Sequence, residues 1–487
     1  MMRSPINGID AARKSSSAGN PQKIIANLLN IPRIVVAATH SGAGKTSVAV
    51  ALAAALRERG LHVQTFKVGP DFLDPTYLAM ASGRPCYNLD GWMMGRDYVA
   101  GLFARVTADA DIAVIEGVMG LFDGANPATS DGSTAEIARL LKAPVLLVAD
   151  AKGASRSVAA QVKGFAVFEP GISLVGVVAN RCASASHAEL LAQALASASL
   201  PPLAGFMGSG AFPTLGGRHL GLVTADTGTL PTATIAAFAA AGEKNLSLAA
   251  IIELARQAEP LAASAAPATA GKKKIPVAVA YDRAFHFYYQ DTWDALKSCG
   301  GELLFYSPLR DKALPEGAAG LYIGGGYPEV YAEELAANHA MGEALRAFAA
   351  SGRPVYAECG GLMYLSESLE TTPGKRYPMS GVLPAGTRMG NTKKFLGYVE
   401  ATLKEDSLWG RKGDLFRGHE FHYSELTSGG VADPRWQTVY ALRRNRPGTI
   451  VPEGYQCGNI LASYAHLHYA SRPGAVSHFI AKCGGAL

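Results

Sequence analysis

Residues 33–59 read RIVVAATHSGAGKTSVAVALAAALRER. Arg33–Ala38 is a short, mostly apolar run of strand character, and apolar residues recur at helical spacing from Thr46 to Arg59. Between them lies Ser41-Gly42-Ala43-Gly44-Lys45-Thr46. Glycines let backbone N–H groups approach phosphate oxygens, and a helix N-terminus adds a dipole that favours an anion. Ser41, Gly42 and Gly44 are therefore candidates to cradle the phosphates of ATP. Lys45 is placed to reach its β- and γ-phosphates, and the Thr46 hydroxyl to hold Mg²⁺. Thr39 stands where the common pattern has its first glycine, so the loop is a variant.

Outward from this loop the same alternation continues. Ile112–Ile115, Val145–Ala149 and Leu174–Ala179 read as buried strands, apolar throughout, with Ala-rich helical stretches between them. This predicts an α/β, doubly wound parallel sheet over residues 31–258, behind a loose N-terminus at 1–30. Residues 259–274, EPLAASAAPATAGKKK, read as a linker. A second α/β pattern begins at Ile275–Tyr281, continues through Leu303–Tyr306 and Leu321–Ile323, and defines a second domain over 275–487.

Composition narrows the class. The 487 residues are too many for one ordinary core, and 48% hydrophobic with 17% charged content describes a globular chain. The net charge of +5 is mild and Lys272–Lys274 is the longest basic run, so nucleic acid is not expected as a partner. The six cysteines are scattered without a CxxC pair, which suits a reducing compartment. No apolar stretch reaches 18 residues and the first 23 lack a signal-peptide core, so the expected setting is cytoplasmic, away from the membrane.

Two acidic clusters follow predicted strands: KVGPDFLDP at 67–75 and EGVMGLFDG at 116–124. Ligands of parallel α/β sheets collect at the carboxyl ends of strands, and hard oxygen ligands beside a phosphate loop suit Mg²⁺. Asp71 and Glu116 join Thr46 as candidate Mg²⁺ ligands. Asp74 and Asp123 are candidates for phosphoryl transfer or substrate binding, and Lys67 for balancing phosphate charge. The competing use of these acids is capping of helices and turns. In the second domain, Ala357-Glu358-Cys359-Gly360-Gly361-Leu362 follows a predicted strand at Arg353–Tyr356. A cysteine between small residues on a strand-to-helix turn is an elbow that exposes the sulfur. A base must come from elsewhere in the sequence, and the run Ala462–His468 supplies His466.

At these residues the chain resembles a known family. KVGPDFLDP, NLDGWM (Asn88–Met93), EGVMGLFDG and RHLGL (218–222) are similar to motifs of the cobyrinic acid a,c-diamide synthases, whose first domain is related to dethiobiotin synthetase. The resemblance implies an adenine contact for Asn180. Asp74, Asn88 and Asp90 lie in motifs between the metal site and the expected crevice, where they would orient the substrate or serve as turn and helix-cap residues. GGGYPE (Gly324–Glu329) resembles the family's oxyanion loop, with Gly325 and Gly326 as donors. The second domain resembles class I glutamine amidotransferases, with Cys359 as nucleophile and His466 as base, and AECGGLMYL and RGHEFHYS (417–424) point to the cobyrinate branch. His468 falls where many amidotransferases carry an orienting Glu, which leaves the partner of His466 unassigned, as is the role of RGHEFHYS.

The resemblance implies ATP- and Mg²⁺-dependent amidation of the a and c acetate carboxylates of a corrinoid, cobyrinate, in cobalamin biosynthesis. L-Glutamine would supply the nitrogen, through an acyl phosphate. Hydrogenobyrinate and nickel-sirohydrochlorin are alternative substrates, and a homo-oligomer is compatible. The competing class is a partition-type ATPase, which shares the fold and a variant loop. Those proteins carry a signature Lys where this chain has His40, and no appended glutaminase.

Overall fold

The computed structural model describes residues 28–213, 232–262 and 274–485, apart from 373, 393–394, 428–429 and 446–448. The RHLGL segment, most of the N-terminal stretch and most of the expected linker lie outside the described residues.

Seven strands form the first sheet: β1 (Arg33–Ala38), β2 (Val63–Val68), β3 (Tyr87–Leu89), β4 (Ile112–Glu116), β5 (Val145–Asp150), β6 (Leu174–Cys182) and β7 (Leu203–Gly208). Their order is β3-β2-β4-β1-β5-β6-β7 and every pairing is parallel. Because side chains alternate across a strand, β1 serves two cores. Val35 and Ala37 enter one hydrophobic cluster, and Ile34, Val36 and Ala38 the other, all fully buried. Sequence reversal at the β4-β1-β5 centre opens a crevice at the strands' carboxyl ends. The phosphate loop lies there, leading into helix α1 (Lys45–Glu58).

Residues 259–262 are tied to this domain, contrary to their reading as linker. Leu261–Ala262 pairs antiparallel with Leu28–Leu29, and the buried Arg33 guanidinium reaches the Glu259 carbonyl.

The second sheet has ten strands: β8 (Ile275–Ala280), β9 (Gly301–Tyr306), β10 (Gly320–Ile323), β11 (Val355–Glu358), β12 (Phe395–Leu403), β13 (Leu415–His422), β14 (Gln437–Arg444), β15 (Ile450–Cys457), β16 (Ile460–Ser463) and β17 (His466–His468). Its order is β9-β8-β10-β11-β16-β15-β14-β12-β13-β17. The first five are mutually parallel, and from β15 onward every pairing is antiparallel. The parallel half is the doubly wound part predicted. The antiparallel half folds back so that β17 returns beside β13 at the far edge. Among the described residues no helix is long and apolar enough to cross a membrane.

Candidate active sites

The first site is built on register. Lys67 of β2 and Glu116 of β4 are direct partners on adjacent parallel strands, so their side chains leave the same face of the sheet. Lys67 Nζ donates to Glu116 Oε1 at 2.8 Å, to Asp74 Oδ2 at 2.6 Å and to the Gly117 carbonyl at 3.1 Å. Burial opposes the Lys67 charge, but Asp74 and then Glu116 override it and raise its pKa. Thr46 donates to Glu116 Oε1 at 2.5 Å and lies 3.4 Å from Asp74 Oδ2. Lys45, at the start of α1, is buried beside them and acts electrostatically on Glu116. Burial pushes the Glu116 carboxyl up, with Lys67 only partly opposing it.

Gly44 closes the loop at φ 97°, a left-handed conformation that suits glycine. A Cβ there would fall 2.1 Å from Asn180 Nδ2. Asn180 is used as a brace: it donates to the Ala43 carbonyl at 2.8 Å, and its Oδ1 accepts from Arg181 N at 2.9 Å. Arg181 adds a bond to the Gly42 carbonyl, whereas Ser41 and Gly42 are exposed.

Glu116 Oε2 is buried with no hydrogen-bond partner, beside the Thr46 hydroxyl and Asp74. That donor set fits Mg²⁺, which binds through one or two carboxylates and completes its shell with phosphate oxygens and water. Among the described residues no three His, Cys, Asp or Glu side chains make a self-sufficient metal cage.

The other acids are engaged in shaping loops. Asp71 Oδ1 accepts from the backbone of Leu73 (2.8 Å) and Asp74 (3.0 Å), and Asp123 Oδ2 accepts from Gly120 N (2.8 Å). Asn88 donates to the carbonyls of Gly69 and Asp71, which fixes the KVGPD turn from beneath. Asp90 caps the helix Gly91–Met94 through Met93 N at 2.8 Å, and its other oxygen accepts from Tyr398 OH of the second domain at 2.6 Å.

The second site is built on an elbow. Cys359 follows β11 with φ 45° and ψ −101°, a conformation non-glycine residues seldom adopt. It then opens the helix Gly360–Leu365. Gly361 is required there by close approach, since a Cβ would lie 2.3 Å from the Ile323 carbonyl of β10. A Cβ on Gly360 would lie 2.9 Å from Gly326 N, and one on Gly325 2.6 Å from His466 Cε1. Gly325 and Gly326 therefore abut both the histidine and the elbow.

His466 lies close enough to the Cys359 sulfur to interact with it electrostatically, and the Cys359 Sγ itself donates to the Phe421 carbonyl at 3.9 Å. Its Nδ1 lies 3.1 Å from Glu358 Oε2, and Tyr322 and Tyr469 donate to Glu358 Oε1 at 3.0 and 3.1 Å. Burial would depress the His466 pKa. Cys359 and then Glu358 outweigh it and hold His466 up at about 10. Across the β13–β17 ladder, His419 is the register partner of His466, and the rings stack at 5.0 Å and 14°. Burial, followed by the charges of His466 and His468, pushes His419 well below the usual range. His468 Nε2 lies 3.4 Å from the buried Asp291, which also accepts from Tyr98 OH of the first domain. Sequence reading did not single out Glu358, Tyr322, Tyr469 or Asp291. Glu358 alone carried a signal, standing next to the candidate nucleophile Cys359.

Residues 34–208 match the family described as CobQ/CobB/MinD/ParA nucleotide binding domain, and residues 276–474 the CobB/CobQ-like glutamine amidotransferase domain. Cobyrinate a,c-diamide synthase of Syntrophotalea carbinolica is 52% identical over 94% of this chain and 100% of its own length. The chain belongs to the cobyrinate a,c-diamide synthase family. Relatives of the same name from Leptospira interrogans and Priestia megaterium are 43% and 39% identical, each over 93% of this chain and 99% and 97% of their own lengths.

In this cobyrinate a,c-diamide synthase family member the two sites are in physical contact. Phe72, between Asp71 and Asp74 of the first site, crosses the domain boundary. Its ring stacks on Phe287 (5.1 Å, 11°) and packs at 4.7 Å from Tyr289, 5.6 Å from His419 and 5.2 Å from His466. RGHEFHYS helps to seal the same boundary. Arg417 donates to the Trp92 carbonyl at 3.2 Å and covers its ring, and His419 backs His466. Glu420 and His422 stay within the domain, on Arg444 and on the Ser424 carbonyl.

Proposed function

We propose that the chain converts the a and c acetate carboxylates of cobyrinate to amides, using ATP and glutamine. The observation that carries this reading is a buried Cys359–His466 pair packed through one ring, Phe72, against a phosphate-loop site, in a chain 52% identical to a cobyrinate a,c-diamide synthase.

An imidazolium beside a thiol favours the thiolate. The Cys359 sulfur attacks the side-chain carbonyl carbon of glutamine, and Gly325 and Gly326 N–H groups receive the developing oxyanion. The C–N bond breaks as His466 protonates the leaving nitrogen, giving ammonia and a thioester. Water then loses a proton to His466 and bonds to the acyl carbon, the C–S bond breaks, and glutamate leaves.

In the other domain Ser41, Gly42 and Gly44, with the loop braced by Asn180, cradle the ATP phosphates, and Lys45 neutralises them. A substrate carboxylate oxygen attacks the γ-phosphorus and ADP departs. Ammonia attacks the resulting acyl phosphate, loses a proton and expels phosphate, leaving the amide. Activation is needed because a free carboxylate is a poor electrophile for an amine. Mg²⁺, held by Thr46, Glu116 and Asp74, would neutralise charge on the transferring phosphoryl group. Asp71 and Asn88 shape the turn that presents Asp74, and Asp123 shapes the opposite loop.

The test pairs two variants with two nitrogen sources. Cys359→Ala is expected to lose glutamine-driven amidation and keep ammonia-driven amidation, and Lys45→Ala to lose both. Mass analysis with cobyrinate, hydrogenobyrinate and nickel-sirohydrochlorin identifies the substrate. A transient monoamide and a final diamide are expected, and turnover of none of the three would overturn the substrate assignment.

A further inference from the structure

We propose that Glu358, the residue immediately before the nucleophile, is the carboxylate that positions His466 for catalysis. The proposal rests on the glutaminase reading above and adds a third member to the Cys359–His466 pair.

Geometry carries it. Glu358 Oε2 is 3.1 Å from His466 Nδ1, on a carboxylate that is 4% exposed. The other oxygen is fixed by the hydroxyls of Tyr322 and Tyr469, so the group has little freedom to turn away. A carboxylate that accepts from Nδ1–H leaves Nε2 as the nitrogen that exchanges a proton with the sulfur. Successive side chains on a strand point to opposite faces, so a nucleophile and its predecessor would ordinarily diverge. The left-handed turn at Cys359, with φ 45°, removes that divergence and lets both side chains meet one imidazole. The backbone bond from Cys359 N to the Ser463 carbonyl, at 2.7 Å, holds the elbow against the strand that leads to His466.

The sequence position usual for this role holds His468, which has no negative charge to offer. His468 faces Asp291 and, through it, Tyr98 of the first domain. Two residues past the base, the chain therefore makes a domain contact in place of an orienting carboxylate. The ionisable side chains that meet His466 are then Cys359, Glu358 and the stacked His419, whose low pKa keeps it neutral.

The test compares Glu358→Gln with the parent for glutaminase activity across pH, with ammonia-driven amidation as the measure of an intact fold. Glutaminase kcat is expected to fall on the order of 100-fold or more. The alkaline limb of its pH profile is expected to move toward the ordinary histidine range by about one pH unit or more. Ammonia-driven amidation is expected to stay near the parent value. Retained glutaminase, or a fall without movement of the alkaline limb, would overturn the proposal. If the Gln variant does not fold, Tyr469→Phe, which removes one bond to Glu358, is expected to move the same limb in the same direction by less, and an unmoved limb overturns the proposal. Absence of ammonia-driven amidation in the parent would count against the synthase reading alone, since the glutaminase assay is independent of it.

Discussion

Replacing Lys67 with methionine, which matches its length and removes its charge, tests how the first site is held together. Lys67 is 1% exposed and its ammonium touches two carboxylates, at 2.6 and 2.8 Å, one of which is fully buried. The pairs are worth little net, because burying three charges costs nearly as much as their attraction returns. Removing the cation alone is different, since it leaves Asp74 and Glu116 facing one another with the Lys67 ammonium, their shared hydrogen-bond donor, gone and the Lys45 charge as a weaker offset on Glu116. Breaking a buried pair in this way costs about 3–5 kcal/mol. Two checks follow from the same geometry. Lys67→Met/Asp74→Asn should recover part of the loss, because one carboxylate no longer opposes the other. Added Mg²⁺ should stabilise Lys67→Met more than the parent, because a cation bound to the native state offsets the same repulsion. Urea unfolding followed by circular dichroism, with and without Mg²⁺, gives both quantities. A loss under about 1 kcal/mol in Lys67→Met, or a double variant no better than the single one, would refute the reasoning.

Three further outcomes are expected. Gly44→Ala should abolish nucleotide binding by calorimetry while leaving glutaminase intact, because its Cβ would fall 2.1 Å from the amide that braces the loop, at a φ of 97°. Asp90→Asn addresses a carboxyl that burial raises to about 6, with Tyr398 and Met93 partly opposing the rise. A raised carboxyl favours the fold fully below its unfolded value of 3.8 and loses that advantage as pH rises to about 6, a difference of about 3 kcal/mol. The Asn variant, a mimic of the protonated form, should flatten the thermal-stability profile across that window and be no less stable than the parent above it. Phe72→Ala should raise the ratio of glutamate released to amide formed, measured by product chromatography, because the ring linking the two sites is gone; an unchanged ratio would remove Phe72 from any coupling.

Much of the molecule is determined locally, and that part is legible in the residues. Apolar runs such as Val35–Ala38 commit to buried parallel strands because both faces must be covered. Ser41–Thr46 commits to a tight turn into a helix because its glycines and helix start lie within a few residues of one another. The Cys-Gly-Gly elbow is visible for the same reason: Gly361 is needed where any Cβ would fall 2.3 Å from the Ile323 carbonyl. What depends on contacts distant in the chain had no local signature. The antiparallel half of the second sheet alternates too weakly to announce its pairing, and only that pairing brings His419 against His466. Asp90 reads from its motif as a candidate substrate contact, and nothing near it in the sequence announces that Tyr398, 308 positions away, donates to it. The resemblance places the orienting partner of His466 two residues beyond it in the sequence, where this chain has His468. The fold supplies it from Glu358, 108 positions earlier, because proton-transfer geometry is set by distance in space, and parallel strands bring residues together without regard to their order in the chain.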